Sequence, residues 1–126
     1  MTITTIGYTL AGLIAAAIIV IGARFIVAPQ VAAAGYGVPV DAAQSPVRAY
    51  LTIKGVRDIA SGLFVIVVMI AGATHLLGWA ILAATIIPLA DAAIVLGNGG
   101  SKSIALGVHG VTAVVMLGTA ALLLAA

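Results

Sequence analysis

The sequence contains no cysteine and no glutamate, and its charge is confined to five Lys or Arg and three Asp in 126 residues. Absence of cysteine excludes structural disulfides, thiolate metal sites and thiol chemistry, and leaves the redox compartment open. A formal net charge of +2, dispersed along the chain, excludes an extended nucleic-acid-binding face. The only histidines, His75 and His109, fall on opposite sides of the expected bundle and cannot share a metal ion. A haem held by His109 would lack a second axial partner. No glycine-rich phosphate loop or nucleotide-fold motif is present, so no cofactor is expected.

What is abundant is apolar surface. Hydrophobic residues make up 64% of the chain and charged ones 6%, with a mean hydropathy of +1.37, a balance that belongs to integral membrane proteins. At about 20 apolar residues per crossing, the length accommodates four spans and short connections and little else. The expected fold is all-α, a single transmembrane four-helix bundle occupying residues 1–126, with helices over about 5–28, 46–71, 75–96 and 101–125. The first apolar run exceeds a cleaved signal core and has no basic segment before it, so it is read as a retained helix. Pro29 ends it, and Val31 to Ala34 can form a turn at the interface. Ser45 and Pro46 restart the chain as cap and first helical residue. Pro88 is expected to kink the third helix by removing an amide and freeing a carbonyl near Ala84. Gly97 to Gly100 forms a turn, after which Ser101 caps the last helix.

Arg24, Arg48 and Lys102 flank the first and third connections. The positive-inside rule therefore places those connections in the cytoplasm and both termini outside, in a multi-pass protein of the plasma (bacterial inner) membrane. The polar residues within the spans are more informative. Lys54, Arg57 and Asp58 lie roughly 10 to 17 Å in from the start of the second helix, Asp91 roughly 9 Å from the end of the third, and His109 roughly 12 Å from the start of the fourth. Antiparallel packing brings these to one level, with Arg24 at its border. Tyr50, Lys54, Arg57 and Ser61 follow one helical stripe, with Asp58 beside it. Ionisable groups at this depth are costly and usually serve a site.

Such a layer suits acid/base chemistry: a well-paired carboxylate stays ionised while a more desolvated one can hold a proton. Asp58 and Asp91 are candidates for these roles, Arg57 for orienting an oxygen, Lys54 for stabilising negative charge and His109 for proton shuttling. Tyr50, Ser61, Thr112 and Arg24 are candidate substrate contacts. The Asp, Arg, Asp set is chemically analogous to the one with which epoxide hydrolases activate water. The structural alternative pairs Lys54 with Asp58 along the helix and Arg57 with Asp91 between helices. His75 and Trp79 read as interfacial residues on the other side, and Gly35 to Pro39 as a connecting loop.

The run Tyr50, Leu51, Lys54, Gly55, Arg57, Asp58, Gly62, Leu63, with Pro88 to Asp91 and His109, Gly110, Thr112, Ala113, resembles a family of small four-helix membrane proteins of unassigned function, found in bacteria and fungi and loosely DoxX-like. The resemblance implies the architecture and the choice of distinctive residues, but no established reaction. Some members of that family lie beside biosynthetic enzymes, which implies catalysis on a lipophilic intermediate. The leading expectation is a membrane enzyme performing hydrolysis, isomerisation or ring opening on a lipophilic substrate. A small-molecule or proton-coupled transporter and a helper subunit of a membrane complex are the alternatives. Expected partners are the lipid bilayer, a lipophilic small molecule and a second copy forming a homodimer, the last suggested by glycine-rich faces.

Overall fold

The computed structural model describes residues 1–126 and is all-α, without strands. Helix α1 spans Ile3–Val27, and the Thr2 hydroxyl caps it by accepting the Thr5 amide at 3.1 Å. Ala28 breaks the helix because the residue before a proline is driven out of helical backbone. Pro29 then opens a second helix instead of merely closing the first, so the expected interfacial turn is a two-turn helix, α2, Pro29–Tyr36. Gly37 ends α2 with φ +102, a left-handed cap. Gln30 pins the returning segment: its side-chain amide donates to the Val40 carbonyl at 2.9 Å, and its oxygen accepts the Ala42 amide at 2.8 Å.

Helix α3 covers Ser45–Ile70. Ser45 is its first residue, not its cap; Gln44 stands at the cap without a side-chain bond. After a turn at Gly72, φ +69, helix α4 runs over Thr74–Gly97 in two segments, Thr74–Ala84 and Ile86–Gly97, divided at Thr85. The break lies three residues before Pro88, where the missing proline amide leaves the Ala84 carbonyl without its helical donor. The buried Thr85 hydroxyl donates to the Ile81 carbonyl at 2.9 Å, a back-bond that bends helices. Gly99 turns the chain at φ +73, and the Ser101 hydroxyl accepts the Ile104 amide at 3.3 Å to begin α5, Lys102–Ala125. Within α5, Ala105–Gly110 is a π-helical segment.

Close packing of α1 on α3 is made by glycine. A methyl group at Gly55 would stand 2.5 Å from the Gly22 carbonyl oxygen, and one at Gly62 would stand 2.7 Å from that of Ala15. Ala11, Val68, Leu77, Ile81, Met116, Ala120 and Leu123 form the main core near one end, where Tyr8 and Thr74 share a 3.1 Å hydrogen bond. Phe25, Ala32 and Ala33 form a smaller core at the other end, under α2.

Large apolar side chains such as Leu13, Val67, Ile70, Ile86 and Val114 remain exposed around the molecule, far more than water tolerates on a monomer. Helices α1, α4 and α5 are each long and apolar enough to cross a membrane, which marks a membrane protein. Helix α3 has the length, 26 residues, but carries Arg48, Lys54, Arg57 and Asp58 and is not among them.

Candidate functional site

The end of the molecule that carries α2 gathers side chains from all five helices. Lys54, on the inner side of α3, donates to Asp58 Oδ2 at 2.6 Å. This is the i, i+4 pair. The same ammonium lies 4.6 Å from the Phe25 ring centroid and 4.4 Å from that of Tyr36, so a carboxylate and two aromatic faces enclose it. Both rings attract a cation through their quadrupoles. Tyr36 sets its edge against Phe25, 5.6 Å between centroids, and packs on the His109 ring at 4.5 Å.

His109 is buried at 4% exposure, and its Nε2 lies 2.9 Å from the Tyr36 carbonyl oxygen. A carbonyl only accepts, so Nε2 carries a proton and donates it there. In the neutral ring this leaves Nδ1 with its lone pair free, and Nδ1 faces Asp91 Oδ2 at 4.0 Å. The π segment contributes to this placement. A four-residue step overshoots one turn of an α-helix, whereas the wider π turn undershoots it, and Ala105, His109 and Ala113 are all buried.

Tyr36 completes the cluster. Burial, then the neighbouring Asp91 carboxylate and the charge of Asp58, push its phenol well above the usual pKa, leaving a neutral O–H able to donate. The backbone at this point is held by Gly37, where a Cβ would press on Ile104 and Val95 in a left-handed conformation that side chains resist. Gly37→Ala is expected to cost about 1–3 kcal/mol and to pull the Tyr36 carbonyl off His109. The His109 ring signals in NMR would shift while those of His75 at the far end stay in place; unchanged His109 signals would refute the coupling.

The cluster thus brings together Lys54, Asp58, Asp91 and His109 from the sequence-derived candidates. The others lie outside it. Arg57 is exposed and forms no ion pair with Asp91, which faces His109 instead. Tyr50 is 75% exposed. Ser61 donates its hydroxyl to the Arg57 carbonyl at 2.9 Å, Thr112 donates its own to the Val108 carbonyl at 2.7 Å, and both are exposed. Arg24 is exposed in the last turn of α1, a favourable place for a cation beside the helix dipole.

Tyr36 and Phe25 were not legible as site residues. Tyr36 falls in a stretch that reads as a plain connection, although Pro29 at a helix start and Gly37 at a helix end frame a short helix whose last residue it is.

No group of three or more His, Asp or Glu side chains is arranged to hold a metal, and no buried side-chain polar atom lacks a hydrogen-bond partner. Two surface hollows lie away from the cluster. One of about 510 Å³ is bordered by Thr4, Gly72 to Leu76 and Ala126 at the far end. The other, about 550 Å³ and almost wholly apolar, runs along α1 and α5. Within the polar cluster the side chains are partly open, 29% for Lys54, 22% for Asp91, 14% for Asp58 and 6% for His109.

Residues 15–123 match the model of a family described as a domain of unknown function, DUF4267, and the chain belongs to that family. The match agrees with the unassigned family expected from the sequence and carries no DoxX-like relationship. No curated protein and no solved structure matches the chain.

Proposed function

We propose that this protein is a four-span membrane enzyme that performs acid/base chemistry on a lipophilic molecule, with Asp91 as the proton-exchanging group. The observation that supports this reading is the His109 geometry. Its Nε2 proton is committed to the Tyr36 carbonyl, and its Nδ1 lone pair is turned to a carboxylate 4.0 Å away. One small movement or one water lets Asp91 and His109 pass a proton between them. Asp58, held by Lys54, serves as fixed charge that keeps the neighbourhood electrically balanced.

The four-span bundle follows if α3 crosses with its charges turned inward or toward its own end. Arg24, Arg48 and Lys102 then mark the cytoplasmic side of a plasma membrane, where the cluster lies, and both termini are outside.

For epoxide opening, Asp91 takes a proton from a water whose oxygen bonds to a ring carbon. The ring C–O bond breaks, and its oxygen takes the Tyr36 phenolic proton. The proton on Asp91, shared meanwhile with His109 Nδ1, then passes from Asp91 to the Tyr36 phenolate beside it, so that the net change is addition of water. Isomerisation uses the same proton removal and return without water.

Proteoliposomes given long-chain epoxides in heavy-oxygen water, and long-chain β,γ-unsaturated ketones in deuterium oxide, test this. One class is expected to take up label, and Asp91→Asn is expected to lower the rate at least about 100-fold with the helical circular dichroism unchanged. No label with either class, or equal rates in Asp91→Asn, would remove the proposal.

A further inference from the structure

On α3, Tyr50, Arg57, Ser61 and Val68 lie on one helical stripe. At the far end Val68 is buried, 6% exposed, in the core with Leu77 and Ile81 of α4. Further along the same stripe Ser61, Arg57 and Tyr50 are all exposed. What covers the stripe at one level is therefore missing at the other. The change coincides with the break at Thr85: α3 packs on the first segment of α4, Thr74–Ala84, and scarcely touches the second, Ile86–Gly97. Toward the polar end the two helices make few contacts and leave the face of α3 between them uncovered, a lateral opening or cleft. Asp91 sits on the second segment of α4, and Lys54 and Asp58 sit on α3.

Charge points to what the cleft takes. Lys54 is matched by Asp58 at 2.6 Å, and Asp91 faces His109. Arg24, Arg48 and Lys102 stand within a few residues of a helix end and reach the interface. Arg57 differs from all of these. It lies roughly 18 Å along α3, its side chain makes no ion pair or hydrogen bond within the chain, and it is always charged. A cation at that depth without a counter-charge is costly, and a planar guanidinium matches a carboxylate in bidentate fashion. A bilayer phosphate sits at the interface, outside the hydrocarbon, which favours, as counter-charge for Arg57, the anion of a molecule that enters the cleft.

We propose that the cleft between α3 and the second segment of α4 admits a single-chain amphiphile from the lipid and that Arg57 binds its carboxylate. This rests on the membrane placement and catalytic reading above, and gives that reading its substrate class: a long-chain acid whose reactive carbon lies along the chain from the carboxylate.

The test is equilibrium binding of tritiated oleate to the full chain purified in maltoside micelles. Wild type is expected to bind saturably. Arg57→Gln is expected to weaken binding about tenfold or more, Arg57→Lys to fall between it and wild type because the charge stays while the bidentate fork is lost, and Arg24→Gln to leave it unchanged, with oleyl alcohol a poor competitor. Equal affinity in wild type and Arg57→Gln, an equal loss in Arg24→Gln, or absence of saturable binding would overturn the proposal. So would displacement of oleate by a lower concentration of phosphatidylglycerol, which would identify the occupant as a bilayer phosphate. Oleate bound through Arg57 with no turnover of the epoxides or ketones removes the catalytic reading and leaves the cleft standing; turnover with oleate indifferent to Arg57 does the reverse.

Discussion

Gly55→Leu is expected to abolish the folded protein in mild detergent, because the contact it disturbs is backbone against backbone. The Cβ alone would stand 2.5 Å from the Gly22 carbonyl oxygen and 2.8 Å from the Ile26 side chain. No rotamer change in α3 moves a Cβ, so α1 and α3 must separate along the crossing that supports both Phe25 and Lys54. Overpacking of this kind costs about 1–3 kcal/mol for a methylene or two and more when backbone is the obstacle. Gly118→Leu is the matched control, since nothing lies within 4 Å of a Cβ there. Thermal unfolding followed by circular dichroism, with size-exclusion chromatography, separates the two. A Gly55→Leu protein melting within about 2 °C of wild type would show that the glycine crossing does not hold the helices.

Lys54→Met is expected to be the most damaging single change within the cluster. It keeps the length of the side chain while leaving the Asp58 carboxylate, 14% exposed, beside the ring faces of Phe25 and Tyr36 with no cation. Removing one partner of a fully buried pair costs about 3–5 kcal/mol; the partial exposure of Lys54 lowers the expectation to about 2–3 kcal/mol. The double substitution Lys54→Met with Asp58→Leu is expected to recover most of that loss, since it removes both charges together. Strictly additive losses in the double-mutant cycle would mean that the 2.6 Å pair contributes no coupling.

The layer of polar residues was legible in the sequence because depth along a helix is simple arithmetic: Lys54, Asp58, Asp91 and His109 do share one end of the molecule. Direction around the helix was harder to read. The stripe of Tyr50, Lys54, Arg57 and Ser61 is regular, yet only Lys54 turns inward, because α4 scarcely touches α3 after Thr85. Likewise the pairing of Arg57 with Asp91, reasonable by charge, fails because Asp91 faces His109 and Arg57 lies on the exposed side of α3. The π segment and the short α2 escaped notice for a different reason. Each involves one turn or two, too short for periodicity to register, and each depends on what packs against it.

By itself, the sequence determined the class of solvent, the all-helical economy of the backbone and the sites of its interruptions. These follow from local or summed properties: apolar composition, obligatory internal hydrogen bonds in lipid, and proline or glycine at specific residues. Tertiary structure alone decided which charges meet. Tyr36, which lends its carbonyl to His109 and its ring to Lys54, is 18 residues from the lysine and 73 from the histidine. Only the folding of α2 beneath the ends of α3 and α5 brings it between them, since contact across such separations is set by packing and not by spacing along the chain.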